Sequence, residues 1–199
     1  GTSISGTCDV IVQTAVASIE NTYYASLGDA INSTSSATVN LLIDTSENIV
    51  ISEEKNITLN LNGKKLSGNN TDSIIKNNGT INIIGNGNIQ ISNNNKSDRA
   101  ILNNGVTVLE SGIIIGDAWT VENIGTFYMR GGIIKHNNHN NGAAFMNNGN
   151  LYMTSGTIES NEWGLVTRGE NAYTLVQGNK SSTRMHSSYS RWRWNSRIS

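Results

Sequence analysis

A short motif of the form Asn-x-Gly recurs four times in the middle of the chain and constrains the fold more than any other feature. The copies end at Gly79, Gly105, Gly125 and Gly149, at intervals of 20 to 26 residues, and a weaker copy ends at Gly169. Repeats of this length, each forming one supersecondary unit, are typical of solenoids. The unequal intervals indicate one structural turn per copy, with loops of variable length between the turns.

Aligning the copies on this glycine produces columns of equivalent residues, most of them apolar. The column four positions before the glycine contains Ile75, Ile101, Val121, Phe145 and Leu165, and the column nine positions after it contains Ile114, Ile134 and Ile158, joined by Ile89 after a one-residue shift. The alternation with period two indicates strands with one buried face. Three short strands per repeat predict a parallel β-helix, in which each coil pairs with the next at roughly 4.8 Å.

Asparagine occupies the column two positions before the glycine. Its members are Asn77, Asn103, Asn123 and Asn147. The spacing points these side chains inward, where an unpaired amide would be costly. Stacked on identical residues, each amide can donate to the next, so we interpret the column as a structural ladder that requires no ligand. The glycine that follows is expected to supply a positive φ at the bend.

Composition and charge exclude several classes of protein. The chain has 199 residues, with 20 Gly, no Pro and a formal net charge of −1. Glycine and asparagine disfavour helix interiors, which argues against a helical bundle. The near-zero charge argues against nucleic-acid binding by phosphate neutralisation. No run approaches the roughly 20 apolar residues of a spanning helix, so we expect no membrane insertion.

The ends of the chain differ from the repeats. Leu27, Ala30 and Ile31 have helical spacing after a candidate N-cap, Ser26, and a helix within residues 18–33 would cover the exposed end of the solenoid. The last 20 residues carry five Lys and Arg and no acidic residue. We therefore divide the chain into an N-terminal extension at 1–17, a cap with a short helix at 18–37, β-helix coils at 38–178 and a basic, atypical tail at 179–199.

Two segments near the start carry a resemblance to a known family. The first contains Tyr24, Ser26, Leu27, Ala30 and Ile31, and the second runs from Lys55 through Gly63 to Lys64. Together with the later repeats, over roughly residues 16–178, they resemble right-handed parallel β-helix (pectate-lyase-like) regions of large secreted or wall-attached, adhesin-like bacterial proteins. The resemblance implies a right-handed coil and an extracellular or cell-wall-attached location. It also implies glycans or surface proteins, from a host or the environment, as partners.

One corner of the predicted coil collects side chains that suit sugar binding. Asp98, Asp117 and Glu162 fall at nearly the same distance before the motif glycine, and Trp119 and Trp163 both lie six positions before theirs. Sugars are bound by polar groups for the hydroxyls and a flat apolar face for the ring. These five residues are therefore the predicted ligand-binding set, although a tryptophan that closes a corner of the core would fit the same pattern.

The function predicted from these features is a non-enzymatic structural or adhesive module. The alternatives are a polysaccharide lyase or glycoside hydrolase of the same fold, and a phage tailspike-type receptor-binding protein. Asp117 and Glu162 are the candidate acid/base pair for an enzyme, since two coils separate them by roughly 10 Å, near the upper limit for inverting hydrolysis. His136 and His139 have no third metal ligand beside them, so no metal or cofactor is predicted. The sequence leaves the oligomeric state open.

Overall fold

The computed structural model describes residues 13–68, 72–91, 99–117, 119–137, 142–161 and 163–177, and the backbone of residues 185–187 and 191–195. The chain is a parallel β-solenoid of about 5 turns, with 58% strand and 4% helix. This architecture confirms the prediction of an all-β, right-handed parallel β-helix with a short N-terminal helix.

The strands are numbered β1 to β23 in chain order and form three sheets. Sheet A contains, in spatial order, β2 (Thr22–Tyr24), β1 (Ala17–Ile19), β3 (Ser36–Leu41), β6 (Asn56–Asn60), β9 (Thr80–Ile84), β12 (Val106–Leu109), β15 (Thr126–Met129), β18 (Asn150–Met153), β21 (Tyr173–Gln177) and β23 (Arg191–Asn195). Sheet B contains β19 (Thr157–Ser160), β16 (Ile133–His136), β13 (Ile113–Gly116), β10 (Asn88–Gln90), β7 (Lys65–Ser67) and β4 (Thr45–Ser46). Sheet C contains β22 (Met185–Ser187), β20 (Trp163–Thr167), β17 (Ala143–Asn147), β14 (Trp119–Asn123), β11 (Arg99–Asn103), β8 (Ser73–Asn77) and β5 (Ile49–Ile51).

Each coil runs from a sheet C strand through the Asn-x-Gly bend to sheet A, then around a second corner to sheet B. The strand pairings have the register that the sequence columns predict. Ile101 lies opposite Ile75 on one side and Val121 on the other, and Ile114 lies between Ile89 and Ile134. The inward columns form one continuous buried core, in which the rings of Phe127 and Phe145 make an edge-to-face contact at 5.0 Å.

The glycine of the Asn-x-Gly bend is required for a reason other than the expected one. The prediction of a positive φ at Gly79, Gly105, Gly125 and Gly149 is wrong, because none of the four has such a φ. A Cβ at Gly105 would instead lie 2.1 Å from the carbonyl oxygen of Gly79 in the preceding coil. Close approach of successive bends therefore excludes a side chain here. Positive φ occurs at the second corner, at Gly112, Gly132 and Gly156.

The helix α1 (Leu27–Asn32) covers the first coil with Leu27, Ala30 and Ile31 buried, as predicted. The Ser26 side chain accepts a hydrogen bond from the Asp29 backbone nitrogen at 2.9 Å, which confirms the predicted N-cap.

Two charged side chains of the first coils hold the ends of this helix. The Glu47 carboxylate accepts hydrogen bonds from the backbone nitrogens of Leu27 and Gly28, each at 3.0 Å. At the other end, Lys55 Nζ donates to the carbonyl oxygens of Ile31 at 3.0 Å and Thr34 at 2.6 Å. An anion at the N-terminus and a cation at the C-terminus both complement the helix dipole, which stabilises a helix of only six residues.

Additional strands extend sheet A at both ends of the solenoid and sheet C at its C-terminal end. At the start, β1 pairs antiparallel with β2 and with β3, and so adds a hairpin to the first parallel strand. In the basic tail, the backbone of β22 pairs in parallel with β20 and that of β23 with β21. The division into extension, cap, coils and tail remains a prediction.

Candidate functional site

Trp119 and Trp163 lie in one column on the outer face of sheet C. The strand register places Ala143 between them, so the two tryptophans are separated by two strand spacings, or roughly 10 Å. Arg99 precedes Trp119 in this column, since Ile101 pairs with Val121 two residues further along both strands. We call the set Arg99, Trp119, Ala143 and Trp163 the tryptophan column.

The two indoles have different surroundings. Trp119 is half-buried and packs against an outer cluster formed by Ala143, Met146 and Val166, which are 2 to 4% exposed although they lie outside the solenoid core. Trp163 is 38% exposed. Trp119 therefore covers part of the sheet surface, whereas Trp163 presents accessible ring area to solvent.

Arg99 connects the tryptophan column to two carboxylates. Its Nη1 donates to Asp72 Oδ1 at 2.6 Å, its Nε donates to Glu122 Oε2, and its guanidinium carbon lies 5.9 Å from the centre of the Trp119 ring. Glu122 is only 9% exposed, and its Oε1 accepts from Asn148 Nδ2 at 3.4 Å. The result is a charged, hydrogen-bonded network against one edge of an aromatic surface.

Neither Arg99 nor Glu122 is among the site residues predicted from the sequence. The alignment nevertheless contains the signal for Arg99, which lies six positions before Gly105 as Trp119 lies six before Gly125. Glu122 shares its outward column with Lys76, Leu102 and Met146. Residue type varies along the outward columns, so an alignment of repeated residues does not identify Glu122.

Asp117 lies at the corner between sheets B and C, one residue beyond β13. Partial burial raises the pKa of its carboxyl above the ordinary value of 3.8, and the charge of His136 acts in the opposite direction. His136 is 1% exposed, and its Nδ1 lies 3.4 Å from Ser160 Oγ. Asp98, Glu162 and His139 lie outside the described residues, so the predicted grouping of Asp98 and Glu162 with Asp117 stays a prediction.

Comparison with known proteins adds no identity to this fold. No family model, curated protein or solved structure matches the chain. The assignment as a parallel β-solenoid therefore rests on its own strand register and ladders. Among the described residues, no helix has the length and apolar content to cross a membrane. No three His, Cys, Asp or Glu side chains in this part of the chain group in a way that could hold a metal ion.

A second aromatic feature, absent from the predictions, lies on the outer face of sheet A. The rings of Tyr128 and Tyr152 stack with centres 5.1 Å apart and planes 17° from parallel, and Tyr173 continues the row at 5.6 Å and 49°. The Arg130 guanidinium lies 5.6 Å from the Tyr128 ring and pairs with Glu110 at 3.0 Å. We call these three tyrosines the tyrosine stack. Because the rings cover part of one another, we interpret the stack as a structural ladder on the surface.

The tryptophan column is the better candidate for ligand binding. It offers the indole of Trp163 as an apolar face. The Glu122 carboxylate lies two strand spacings from Trp163 and the Arg99 guanidinium lies three, and both groups can exchange hydrogen bonds with hydroxyl groups. Arg99, Glu122 and Trp163 lie on paired strands, so the coil rise fixes the spacing between them. Such a surface can bind a ring-shaped polar ligand without any chemical step.

Proposed function

We propose that this chain is a non-enzymatic structural and adhesive module of an extracellular bacterial protein, and that the outer face of sheet C binds glycans. The observation that carries the proposal is the tryptophan column, in which Trp163 is exposed and Arg99 is joined to Asp72 and Glu122. The resemblance of the repeats to adhesin-like β-helix regions supports the extracellular setting. The continuous core and the backbone pairing between coils support a rigid rod.

The charge of the network favours one class of glycan. Arg99 is the cation of this network, and two carboxylates already pair with it. An acidic sugar would have to displace a carboxylate to reach the guanidinium, whereas a neutral sugar can use the remaining donors and acceptors. We therefore expect neutral glycans to bind better than acidic ones.

A glycan array with the intact protein and two single variants tests this proposal. Trp163→Ala should weaken binding several-fold, because a ring contact of this kind contributes about 1 kcal/mol beyond area burial. Tyr23→Ala is the matched control, since Tyr23 is also aromatic, is 68% exposed and lies in the hairpin at the opposite end of the solenoid. Equally strong binding by the wild type and Trp163→Ala would contradict a role of the tryptophan column in glycan binding.

Two other experimental outcomes would contradict the proposed function and favour a different one. Release of reducing or unsaturated sugars from a polysaccharide panel, abolished by Asp117→Asn, would make the protein a lyase or hydrolase. A stable trimer in light scattering, combined with binding to a bacterial surface polysaccharide, would favour a tailspike-type receptor-binding protein. Glycan binding by a protein with neither property supports the adhesive module.

A further inference from the structure

The structure describes both residues of five Asn-Gly pairs. Such pairs can undergo deamidation, a reaction separate from ligand binding. Their asparagines are Asn62, Asn78, Asn86, Asn104 and Asn148. In such a pair the backbone nitrogen of the glycine, after losing its proton, can attack the asparagine Cγ. A new N–C bond forms, the bond from Cγ to the amide nitrogen breaks, and ammonia leaves. Water then opens the cyclic imide to aspartate or isoaspartate.

The fold restrains the three pairs at the Asn-x-Gly bends. In each, the attacking nitrogen already donates a hydrogen bond: Gly79 to the Ile51 carbonyl at 3.2 Å, Gly105 to the Asn77 carbonyl at 3.1 Å, and Gly149 to Asn147 Oδ1 at 3.2 Å. The side chains are held as well, since Asn104 Nδ2 donates to Asn78 Oδ1 at 2.8 Å and Asn148 Nδ2 donates to Glu122. Cyclisation at these bends requires both sets of bonds to break.

Asn62 is restrained in another way at the corner between sheets A and B. It has a left-handed φ of 50°, its backbone nitrogen donates to Asn60 Oδ1 at 3.0 Å, and its Nδ2 donates to the Leu41 carbonyl at 3.1 Å. The amide that would have to turn toward Gly63 is therefore attached to the preceding coil.

Asn86 occupies the same corner one coil later and differs from all four. Its side chain is exposed and, within the described chain, makes no hydrogen bond; the Gly87 backbone nitrogen likewise donates to none of the described residues. The pair borders an open groove of about 370 Å³, which leaves the side chain room to turn and gives water access. We propose that Asn86 is a site of spontaneous deamidation in the folded protein and that the other four asparagines are protected by the fold.

The modification would change this corner of the solenoid. It places a carboxylate two residues before Asn88, which pairs with Lys65 of the preceding coil. The isoaspartate product also adds a carbon to the main chain, where a Cβ at Gly87 would already lie 2.5 Å from the Lys64 carbonyl oxygen. Deamidation at Asn86 would therefore alter both charge and coil stacking beside the groove.

Peptide mapping by mass spectrometry tests the proposal on the intact wild-type protein. The folded chain is incubated in mildly alkaline buffer at physiological temperature, and each Asn-Gly peptide is followed for the mass gain of amide-to-acid conversion. Asn86 should react about tenfold faster than the four protected asparagines, the ratio expected when one restraining hydrogen bond must break first. In the urea-unfolded chain the five rates should converge, because the pairs then differ only in their neighbours.

Asn62 is the matched control, since it shares the corner, the following glycine and the solvent exposure. An Asn62, Asn78, Asn104 or Asn148 that reacts as fast as Asn86 in the folded protein would overturn the proposal. The proposal would also be overturned if folding slowed deamidation at Asn86 at least as much as at the other four asparagines. Asn86→Ser should abolish the early mass gain of the peptide that contains residue 86, while an early gain that persists in this peptide would place the reaction at another of its residues.

Discussion

The solenoid contains two ladders built on the same geometry, one inside and one outside. Asn77, Asn103, Asn123 and Asn147 are fully buried and linked by amide hydrogen bonds of 2.8, 2.7 and 2.7 Å. The tyrosine stack repeats with the same coil spacing but is half-exposed. Equivalent positions in successive coils thus create ladders on both faces, and the surroundings decide how much each contributes to stability.

The asparagine ladder has a direction and two different ends. Each Nδ2 donates forward to the Oδ1 of the next coil, and the last member, Asn147, donates to Tyr173 O and Thr174 Oγ1 at 2.9 Å. At the first end, Asn77 Oδ1 is buried without a partner among the described residues, because Ile51 occupies the equivalent position one coil earlier. An interior member therefore makes more contacts than the first one.

The largest expected effect comes from breaking the interior ladder at Asn123. Asn123→Ala removes the acceptor for Asn103 Nδ2 and the donor for both Asn147 Oδ1 and the Asn150 carbonyl, so three hydrogen bonds of the buried ladder are lost. We expect a loss of about 3 kcal/mol in the free energy of unfolding, measured by urea denaturation. Asn77→Ala should lose less, because Asn77 donates but does not accept. Equal losses at the two positions would contradict a directional ladder.

A smaller effect is expected from the outer ladder at Tyr152, whose ring contacts both Tyr128 and Tyr173. Tyr152→Ala should lower the free energy of unfolding by about 1 kcal/mol, the typical contribution of aromatic contacts at a partly solvated surface. Tyr152→Phe retains both ring contacts and should unfold at nearly the same urea concentration as the wild type. A Tyr152→Ala loss as large as that of Asn123→Ala would show that exposure does not separate the two ladders.

The inner face was predictable because its residue types repeat. Asparagine and isoleucine return at fixed distances from one glycine, and only close stacking of coils keeps such columns aligned, so the ladder and register could be read from the sequence. The bend glycines show the limit of this reasoning. Their position is evident from the motif, but Gly105 is required by the carbonyl of the preceding coil, a contact that sequence distance does not contain.

The cap and the outer surface were less accessible to prediction. Ser26 is a local signal, whereas Glu47 and Lys55 reach α1 only after the chain has passed around the first coil. The hairpin of β1 and β2 is antiparallel and has no counterpart in the repeat. On the outer face, Arg99 pairs with Asp72 and Glu122 from the coils on either side, and these neighbours become visible only when the register is known.

The smallest expected effect lies at Asp117, on the corner where inner and outer environments meet. Burial raises its pKa, so the folded state binds the proton more readily than the unfolded state does, and the charged carboxylate destabilises the folded state above that pKa. Asp117→Asn should therefore unfold at a slightly higher temperature than the wild type at neutral pH. As the pH falls through the raised pKa toward the ordinary value of 3.8, the wild-type carboxyl becomes protonated in the folded state and the difference should disappear. Thermal unfolding of both proteins across this pH range measures the effect. A variant less stable than the wild type at neutral pH would mean that attraction to His136 outweighs burial, and Asp117 would then belong with the satisfied polar groups of the interior.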